Sequence, residues 1–556
     1  MLAPAAGAGR ATSPTRVNTI NSQNMTNRQL KFSATTLSLS AVVGRCRAAG
    51  GCCMPRPQAA LGQRRDRCRV GATRPCFNHG LSPAQPYRPP TMHCARPRLP
   101  RPPLPSLPCC ALMLALQCLP AAGQSAEGAA AATANTTAQH WQVKGQATHI
   151  WQHKAAMAAP YSGTNSLTGP RENSYSFTAT LGLGWRPWAG TELFANPEVA
   201  QGVALSNLTG LGGFSNGEIA RSSGPALRLY RARLFGRQTW NLPGDAGQAA
   251  DSETLDADLN QFAGAVAQRR VVLTIGNLSV ADLFDDNAYS HDPRTQFLNW
   301  SLMSMGAYDF AADARGYTSG AALEWFHDDW AVRAGRFALP REPNQQSLDP
   351  QLARHFGDQV ELEHGHTILG LAGRLRLLGF HDRTRLARFD DALALARQTG
   401  GPPDINRVRN RVHDKWGWGL GLEQAITTHT GLFARFSRAD GQTETDAFTE
   451  IDRSLSAGLL LGGAAWQRPG DNLGLGWARN EISASRRAYL AAGGISFFIG
   501  DGALRYRPEQ VVELFYSLQV APGITLSLNG QRITNPAYNA DRGPARLLAT
   551  RLHAEF

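Results

Sequence analysis

The feature that most constrains this chain is a run of residues that alternates strictly in polarity. In 175–185 every odd-numbered position is apolar or aromatic, and every even-numbered position is small or polar. An α-helix repeats its apolar positions about every 3.6 residues, whereas a period of two indicates a β-strand with one apolar face. The run also has the length of a transmembrane strand, which needs roughly 9–11 residues. A similar but less regular segment covers 141–151.

Fifteen more segments resemble these two, which brings the candidate strands to 17. They span 191–199, 228–240, 269–279, 316–326, 330–338, 357–365, 373–381, 414–424, 431–438, 453–462, 472–480, 489–498, 509–520, 524–532 and 546–556. Single-chain bacterial barrels have even numbers of strands, so one segment is misassigned or one strand is missed. Long and short connections alternate up to residue 438, and we therefore expect the error in 439–480.

The ends of the segments favour a membrane barrel over a large soluble β-sandwich or barrel. Short connections with turn-forming residues occur at 186–190, 327–329 and 521–523. Tryptophans lie at or beside these connections, as an aromatic girdle requires. They are Trp185, Trp188, Trp325 and Trp330. The last segment alternates down to an aromatic end, Phe556, as a closing strand should. We predict an all-β fold, a transmembrane antiparallel β-barrel with an even number of strands and long external loops.

The first 123 residues differ in composition from the rest of the chain. The whole sequence carries a net charge of +13, but 1–123 contain 16 basic residues and one acidic residue. From Gln124 onward the chain has 40 basic and 42 acidic residues, and is close to neutral. All nine cysteines lie in 1–123, and all twelve tryptophans lie after it. The apparent basicity therefore gives no reason to expect a nucleic-acid partner.

A secretion signal explains the boundary. Three arginines within 96–101 precede the apolar run 109–119, and small residues follow at 121–123. The apolar run is too short for a membrane-spanning helix. We predict a signal peptide over 92–123, a non-native or disordered extension over 1–91, a short periplasmic segment over 124–139 and the barrel over 140–556. A lipoprotein signal at Cys118 is the weaker alternative, because Gln117 is unfavourable before a lipidated cysteine.

Within the predicted strands, charged residues share the face opposite the apolar one. A charge facing lipid near mid-bilayer costs about 2–4 kcal/mol, which assigns the charged face to the lumen. On 228–240 this predicts Arg231, Arg233 and Arg237 as lumen residues. The other predicted lumen charges are Glu324, Glu361, Glu363, Arg374, Arg376, Glu423 and Arg435. Both signs occur, which suits the hydroxyls of a neutral polar solute; the alternative is that these charges only solvate the channel.

The third external loop, 281–315, is the longest well-placed connection. Long ordered loops are usually functional, and this one, folded inward, would narrow the pore. Its candidate constriction residues are Asp285, Asp286, His291, Asp292, Arg294 and Trp300. The alternative is an external position, as a cap or a contact within a trimer.

Four segments resemble the carbohydrate-selective porins of the OprB family. They are 278–300, 160–167, 448–455 and 535–544, and the similarity extends from about His140 to Phe556. The resemblance implies a 16-stranded barrel of the outer membrane, often a homotrimer, that admits glucose and related sugars by diffusion. For an outer-membrane barrel we also expect outer-membrane lipid, lipopolysaccharide and the outer-membrane assembly machinery as partners, and we expect no cofactor.

Other functions have weaker support in the sequence. A general diffusion pore or a polysaccharide-export barrel would share the strands, and a plugged receptor would need a globular domain before them. The pattern G-x-S-x-G at 213–217 suggests a hydrolase, but no helix follows it to form the required elbow. His364 and His366 could suggest a metal site but are more typical of polar turn residues. We therefore predict a channel rather than an enzyme.

Overall fold

A computed structural model describes residues 139–222, 224–244 and 251–556. The predicted signal peptide, the extension over 1–91 and all but the last residue of the segment 124–139 lie outside the described residues. No helix in the described part of the chain is long and apolar enough to cross a membrane.

Sixteen antiparallel strands close into a barrel, in which β1 pairs with β18 and each other strand pairs with its neighbours along the barrel. The barrel strands are β1 Trp141–Lys154, β2 Glu172–Trp185, β3 Thr191–Val203, β4 Arg228–Asn241, β7 Arg270–Leu278, β8 Thr318–His327, β9 Trp330–Phe337, β10 Phe356–Ile368, β11 Leu371–Arg385, β12 Val412–Thr427, β13 Thr430–Ala439, β14 Arg453–Gly462, β15 Asn472–Glu481, β16 Glu509–Ala521, β17 Ile524–Thr534 and β18 Ala545–Glu555. The predicted fold class and strand number are confirmed.

In the described residues of the connections lie two short strands and three α-helices. The strands β5 Ser252–Leu255 and β6 Gly264–Ala267 form a separate hairpin between β4 and β7. The helices are α1 Trp300–Met303, α2 Phe389–Thr399 and α3 Ala484–Ala491. Single turns of 3-10 helix occur at Leu205–Leu208, Gly217–Arg221, Val280–Asp282, Ile405–Arg407, Gly463–Trp466 and Pro536–Tyr538.

One predicted strand, 489–498, is wrong. Its first residues belong to α3, which begins after Ser483, whose hydroxyl accepts a hydrogen bond from the amide of Arg486. Tyr489 is buried against Phe389 of α2, with 5.2 Å between ring centroids. The expected location of the error was also wrong, because β14 and β15 occupy 439–480 as ordinary strands. In 489–498 a helical turn followed by an extended loop produces an alternating pattern without a strand.

The alternation of the strands separates an outer from an inner face. Leu181, Leu183 and Trp185 of β2 are exposed, whereas Thr178 and Thr180 point inward and are buried. Trp185 stacks on Trp141 of β1 with 5.3 Å between ring centroids, at the end of the barrel that carries the short turns. Long loops connect the strands at the opposite, external end.

Loops fill the external half of the barrel with an aromatic cluster. Phe448, from the loop between β13 and β14, packs on Trp300 and Phe310 of the loop between β7 and β8. Phe214, between β3 and β4, contacts Trp300 and Phe498, the latter from the loop between β15 and β16. Buried aromatic rings contribute apolar area and favourable edge contacts, so this cluster holds the loops together within the barrel.

Candidate functional site

The loop between β7 and β8, 279–317, lies inside the barrel, and we call it the inner loop. Its central residues Phe297, Leu298 and Leu302 are fully buried. The backbone amides of Leu298 and Asn299 donate to the two carboxylate oxygens of Glu513 on β16, at 2.6 and 2.9 Å. A buried carboxylate that receives two amide hydrogen bonds is a strong anchor. The position of the loop agrees with the inward fold that the sequence predicted.

The barrel wall anchors the inner loop on other sides as well. Arg551 of β18 donates to the carbonyl oxygens of Pro293 and Gln296, both at 2.7 Å. On the opposite wall, the amides of Asp285 and Ala288 donate to the carboxylates of Glu361 and Glu423, both at 2.8 Å. The loop therefore spans the interior between strands from both sides of the barrel and narrows the channel.

Six adjacent strands carry inward charges whose sign alternates from one strand to the next, and we call this set the charge ladder. It consists of Glu324 on β8, Arg333 on β9, Glu361 and Glu363 on β10, Arg374 and Arg376 on β11, Glu423 on β12 and Arg435 on β13. The register places opposite charges side by side, as for Glu324 with Arg333 and Arg374 with Glu423. Opposite charges directly across a strand pair stabilise the sheet.

Ion pairs connect most of the ladder. Arg333 contacts Glu324 at 3.1 Å, Glu361 at 2.9 Å and Glu363 at 3.1 Å. Arg376 contacts Glu363 at 2.8 Å and Glu423 at 3.1 Å. Because these side chains are almost all buried, their opposite charges compensate one another, and they hold the inner loop rather than project into open solvent.

Some charged side chains of this region remain accessible. Asp282, which pairs with Arg233, has a side chain that is 29% exposed. Asp286 of the inner loop has a side chain that is 55% exposed, and it lies 3.8 Å from the guanidinium of Arg376. Arg374 is 28% exposed and contacts Glu363 and Glu423, each at 3.6 Å. Burial among protein atoms would raise the pKa of Asp286, but the charges of His291, Arg376 and Arg374 lower it to about 2. This carboxylate is therefore anionic at neutral pH and faces the channel.

The other predicted constriction residues have mainly structural contacts. Asp285 is buried and pairs with Arg435 at 2.8 Å. Asp292 accepts from the amide of Arg294 at 3.0 Å and shapes the loop. Trp300 is buried in the aromatic cluster. Asp286 is the exposed one of the six predicted loop residues, and His291, Asp292 and Arg294 are partly exposed.

Arg294 joins the inner loop to the loop between β3 and β4. Its guanidinium lies 3.1 Å from Glu218 of that loop and 3.4 Å from Glu198 of β3. Arg221 reaches the same two carboxylates at 3.9 and 4.0 Å. Burial would raise the pKa of Glu218, but Arg294 and Arg221 lower it to about 2. The four buried charges fix the two loops to each other and to the wall.

Near the short-turn end, a second segment enters the barrel. Residues 251–269, which we call the hairpin segment, include β5 and β6. Phe262 is buried against Phe194 of β3, with 5.6 Å between ring centroids, and the guanidinium of Arg186 lies 4.3 Å from its ring. Strand β2 has glycines where the segment packs, and a Cβ on Gly184 would meet the ring of Phe262. The segment therefore narrows the periplasmic mouth.

The predicted lumen residues of β4 separate into two groups. Arg233 pairs with Asp282 of the inner loop at 2.5 Å, and Arg237 donates to the carbonyl of Asn260 in the hairpin segment at 3.1 Å. Both therefore point inward, whereas Arg231 does not. It is exposed, and its Nε donates to Asn277 at 3.3 Å.

A β-bulge explains the outward position of Arg231. The register with β3 pairs Asn196 with Arg233 and the next residue, Pro197, with Arg231, so Ala232 is an extra residue. A bulge reverses the parity of the strand beyond it. Tyr230 consequently points inward and donates to Glu198, instead of facing lipid as the alternation predicted.

Several residues of the constriction had no prediction from the sequence. Arg333 went unassigned because β9 carries Arg333 and Arg336 on opposite faces, so the charge alone does not identify the inner one. Glu513 and Arg551 lie on alternating strands, and their parity would have identified them. The hairpin segment has no alternating run of sufficient length, and its strands span only four residues each.

The weaker motifs have ordinary structural contacts. The hydroxyl of Ser215, within the G-x-S-x-G pattern, donates to Gln152 at 3.2 Å and is followed by one 3-10 turn rather than a helix. His364 stacks on Trp330 with 4.2 Å between ring centroids, and His366 hydrogen-bonds Gln424 at 2.9 Å. Within the described residues, no three side chains of histidine, cysteine, aspartate or glutamate are grouped to hold a metal ion.

Comparisons with known proteins agree with this architecture. The chain matches the family described as "Carbohydrate-selective porin, OprB family" over residues 172–556. A search of curated proteins finds no match.

Among solved structures, OprB of Pseudomonas putida at high pH is 16% identical, with a TM-score of 0.56 over 75% of this chain and 94% of that one. The channel DcaP of Acinetobacter baumannii is 9% identical, with a TM-score of 0.41 over 75% and 97% of the two chains. At this identity the P. putida structure supports the fold alone.

The family match covers most of the chain, including fifteen of the sixteen barrel strands, the inner loop and the charge ladder. The porin architecture indicates a channel rather than an enzyme. The chain belongs to the carbohydrate-selective porins of the OprB family, and it is an outer-membrane β-barrel through which small sugars diffuse passively.

Proposed function

We propose that monosaccharides and small carbohydrates cross this barrel beside Asp286 of the inner loop, where Asp286, His291 and Arg374 contact them. The observation that carries the proposal is the exposure of Asp286, 55% at its side chain, within a set of charges most of which are buried. Carboxylate oxygens accept and guanidinium groups donate hydrogen bonds, so this pair of groups complements sugar hydroxyls. The buried members of the charge ladder hold Asp286 and Arg374 in place.

The mixed sign of the charges supports sugars over ions as the preferred solutes. A ring of one sign selects ions, whereas Asp286 lies beside Arg374 and Arg376 and is paired in part. Export of a charged polysaccharide would favour a lumen of one sign. A general diffusion pore would lack a constriction with defined donors and acceptors. The inner loop and the hairpin segment both narrow this barrel, which argues for such a constriction.

Liposome swelling tests the proposal. We expect wild-type protein to admit glucose faster than larger oligosaccharides and with little preference for anions or cations. Asp286→Asn and Arg374→Ala should each change the rate of glucose entry several-fold. Arg231→Ala is the matched control, because it removes an arginine from the outer face and should leave glucose entry unchanged. Equal effects of Arg374→Ala and Arg231→Ala would contradict the proposed path, and swelling confined to anions would contradict sugar selectivity.

We further propose that the chain has no lipid-hydrolase activity. Ser215 is buried and donates to Gln152, and no helix follows it to form a nucleophile elbow. Purified protein should release no fatty acid from phospholipid vesicles, and Ser215→Ala should not change glucose swelling. Release of fatty acid that disappears in Ser215→Ala would overturn this.

Export and assembly form another part of the proposal. We propose a signal peptide over 92–123, with 1–91 absent from the mature protein, on the basis of the charged and apolar runs in the sequence. Recognition of the carboxy-terminal strand by the assembly machinery is supported by Phe556, whose backbone pairs with Gly145 of β1 to close the barrel. N-terminal sequencing of the mature protein tests the first point, and a chain that begins before Met92 would contradict it. Homotrimer formation, which the family resemblance implies, is tested by mass measurement in detergent.

A further inference from the structure

Five arginines share the outer face of the barrel at its external end, and we call them the arginine belt. They are Arg438 on β13, Arg453 on β14, Arg479 on β15, Arg532 on β17 and Arg546 on β18. All five are exposed, whereas the neighbouring residues that point inward, such as Ser437, Ser454 and Asn480, are buried. Each arginine lies within three residues of the external end of its strand.

The register of the strands places like charges directly opposite one another. Arg438 pairs with Arg453 across β13 and β14, and Arg532 pairs with Arg546 across β17 and β18. Directly opposite side chains have Cβ atoms about 4.5–5.5 Å apart, and like charges at this distance are destabilising. The isolated barrel therefore has two sites of repulsion on the same outer edge.

Few acidic residues compensate this charge. Glu481 contacts Arg479 at 2.8 Å and Arg453 at 3.7 Å. The guanidinium groups of Arg438, Arg532 and Arg546 have no hydrogen bond or ion pair to any residue of the described part of the chain. A single carboxylate among five arginines leaves a strong positive excess.

The belt lies directly above the lipid-facing surface. On the same face, Leu455 follows Arg453 by two residues and Leu548 follows Arg546 by two residues, and both leucines are exposed. Exposed tryptophans lie near both edges of the barrel, so they do not distinguish the two edges. The arginine belt lies at the external edge, which faces the outer leaflet.

We propose that the arginine belt binds the phosphate groups of lipid A, the glycolipid of the outer leaflet. Arginine forks bind phosphate oxygens in a bidentate manner, and a phosphate between two facing arginines converts their repulsion into attraction. Sugars in transit do not reach these residues, because they lie outside the barrel wall. Self-association through this face would bring like charges together, so a second copy of the chain is a poor occupant.

Binding of lipid A to the full chain in detergent micelles tests the proposal. The probes are bisphosphorylated lipid A, dephosphorylated lipid A and inorganic phosphate. Wild-type protein should bind the bisphosphorylated form at least about 10-fold more tightly than the dephosphorylated form, because each arginine near an anionic lipid contributes about a factor of five. The variant R438Q/R453Q/R532Q/R546Q should lose this preference.

The matched control removes four exposed arginines from external loops, R341Q/R354Q/R397Q/R411Q, and should retain the preference. Glucose swelling should be normal in both variants, which shows that the barrel is folded and separates this proposal from the sugar path. If the fourfold belt variant does not fold, the pairs R438Q/R453Q and R532Q/R546Q are compared separately. Equal binding of both lipid A forms, or an unchanged preference in the belt variants, would overturn the proposal. If inorganic phosphate at the same concentration displaces lipid A, the belt binds an adventitious ion only, and the proposal is overturned as well.

Discussion

Arg435 of β13 and Asp285 of the inner loop form an ion pair of 2.8 Å in which both side chains are buried. The same arginine donates to the carbonyl oxygens of Ser290 and Leu302, at 2.7 and 3.0 Å. Asp285 also accepts from the amide of Met305 at 2.6 Å. One wall residue thus ties together three separate positions of the loop that narrows the channel, and the conformation of that loop depends on it.

Replacing Arg435 with methionine should therefore release the inner loop. Removing one partner of a buried ion pair costs about 3–5 kcal/mol, because the other charge is left uncompensated. We expect a lower free energy of unfolding and faster entry of oligosaccharides larger than glucose. Urea unfolding in micelles and liposome swelling measure these two effects.

Arg383→Gln is the control for this substitution. Arg383 pairs with Asp414 at 2.9 Å, but both side chains are nearly half exposed. Exposed pairs contribute about 0–1 kcal/mol, so the control should change neither measurement appreciably. A loss of stability in Arg383→Gln equal to that in Arg435→Met would contradict the special role of the buried pair.

The pH dependence of stability should reveal the buried charges around Glu218. Its pKa is about 2 in the folded protein against an ordinary value of 4.5, so the unfolded state binds a proton at higher pH. The contribution of Glu218 to the free energy of unfolding, on the order of 3 kcal/mol, should be fully present above about pH 4.5 and should be lost as the pH falls towards 2. The difference in free energy of unfolding between wild type and Glu218→Gln should follow this course, and a difference independent of pH would argue against it.

Phe262→Ala should loosen the hairpin segment. Truncating a buried phenylalanine costs about 3–5 kcal/mol, and here the loss falls on the contacts with Phe194 and Arg186. We expect faster proteolysis within 256–264 and a higher single-channel conductance. Trp240→Ala, an exposed aromatic residue of β4, is the control and should change neither. Unchanged conductance with increased proteolysis would indicate that the segment does not limit the mouth.

Gly145→Val should impair closure of the barrel. A Cβ at this position would collide with the ring of Phe556, and the backbones of the two residues pair at 3.0 and 3.3 Å where the first strand meets the last. We expect slower appearance of the heat-resistant folded form in refolding assays. Gly530→Val on β17 has open space around the added atoms and should fold at the wild-type rate.

The local pattern of the sequence was sufficient for the barrel itself. A period of two identifies a strand and its apolar face from neighbouring residues alone, and sixteen of the seventeen predicted segments overlap strands. The exception, 489–498, alternates over a helical turn and a loop, and only the packing of Tyr489 on Phe389 distinguishes that case from a strand.

The site required long-range contacts. Parity placed Glu361 and Arg376 on the inner face, but it could not show that they are paired and buried, because their partners lie on other strands and on the inner loop. It also failed at Arg231, where one extra residue, Ala232, reverses the direction of the side chains. A bulge depends on pairing with the neighbouring strand, which the sequence of one strand does not contain.

By itself, the sequence of this protein determined the barrel, its strand number, its two faces and the family, since each follows from local alternation or from contiguous motifs. The tertiary structure alone decided which inward charges remain open to solutes. Asp286 is exposed and Asp285, its neighbour, is buried because the inner loop turns between them against Arg435. These two adjacent aspartates differ in exposure because their surroundings differ, and those surroundings come from strands distant in the chain.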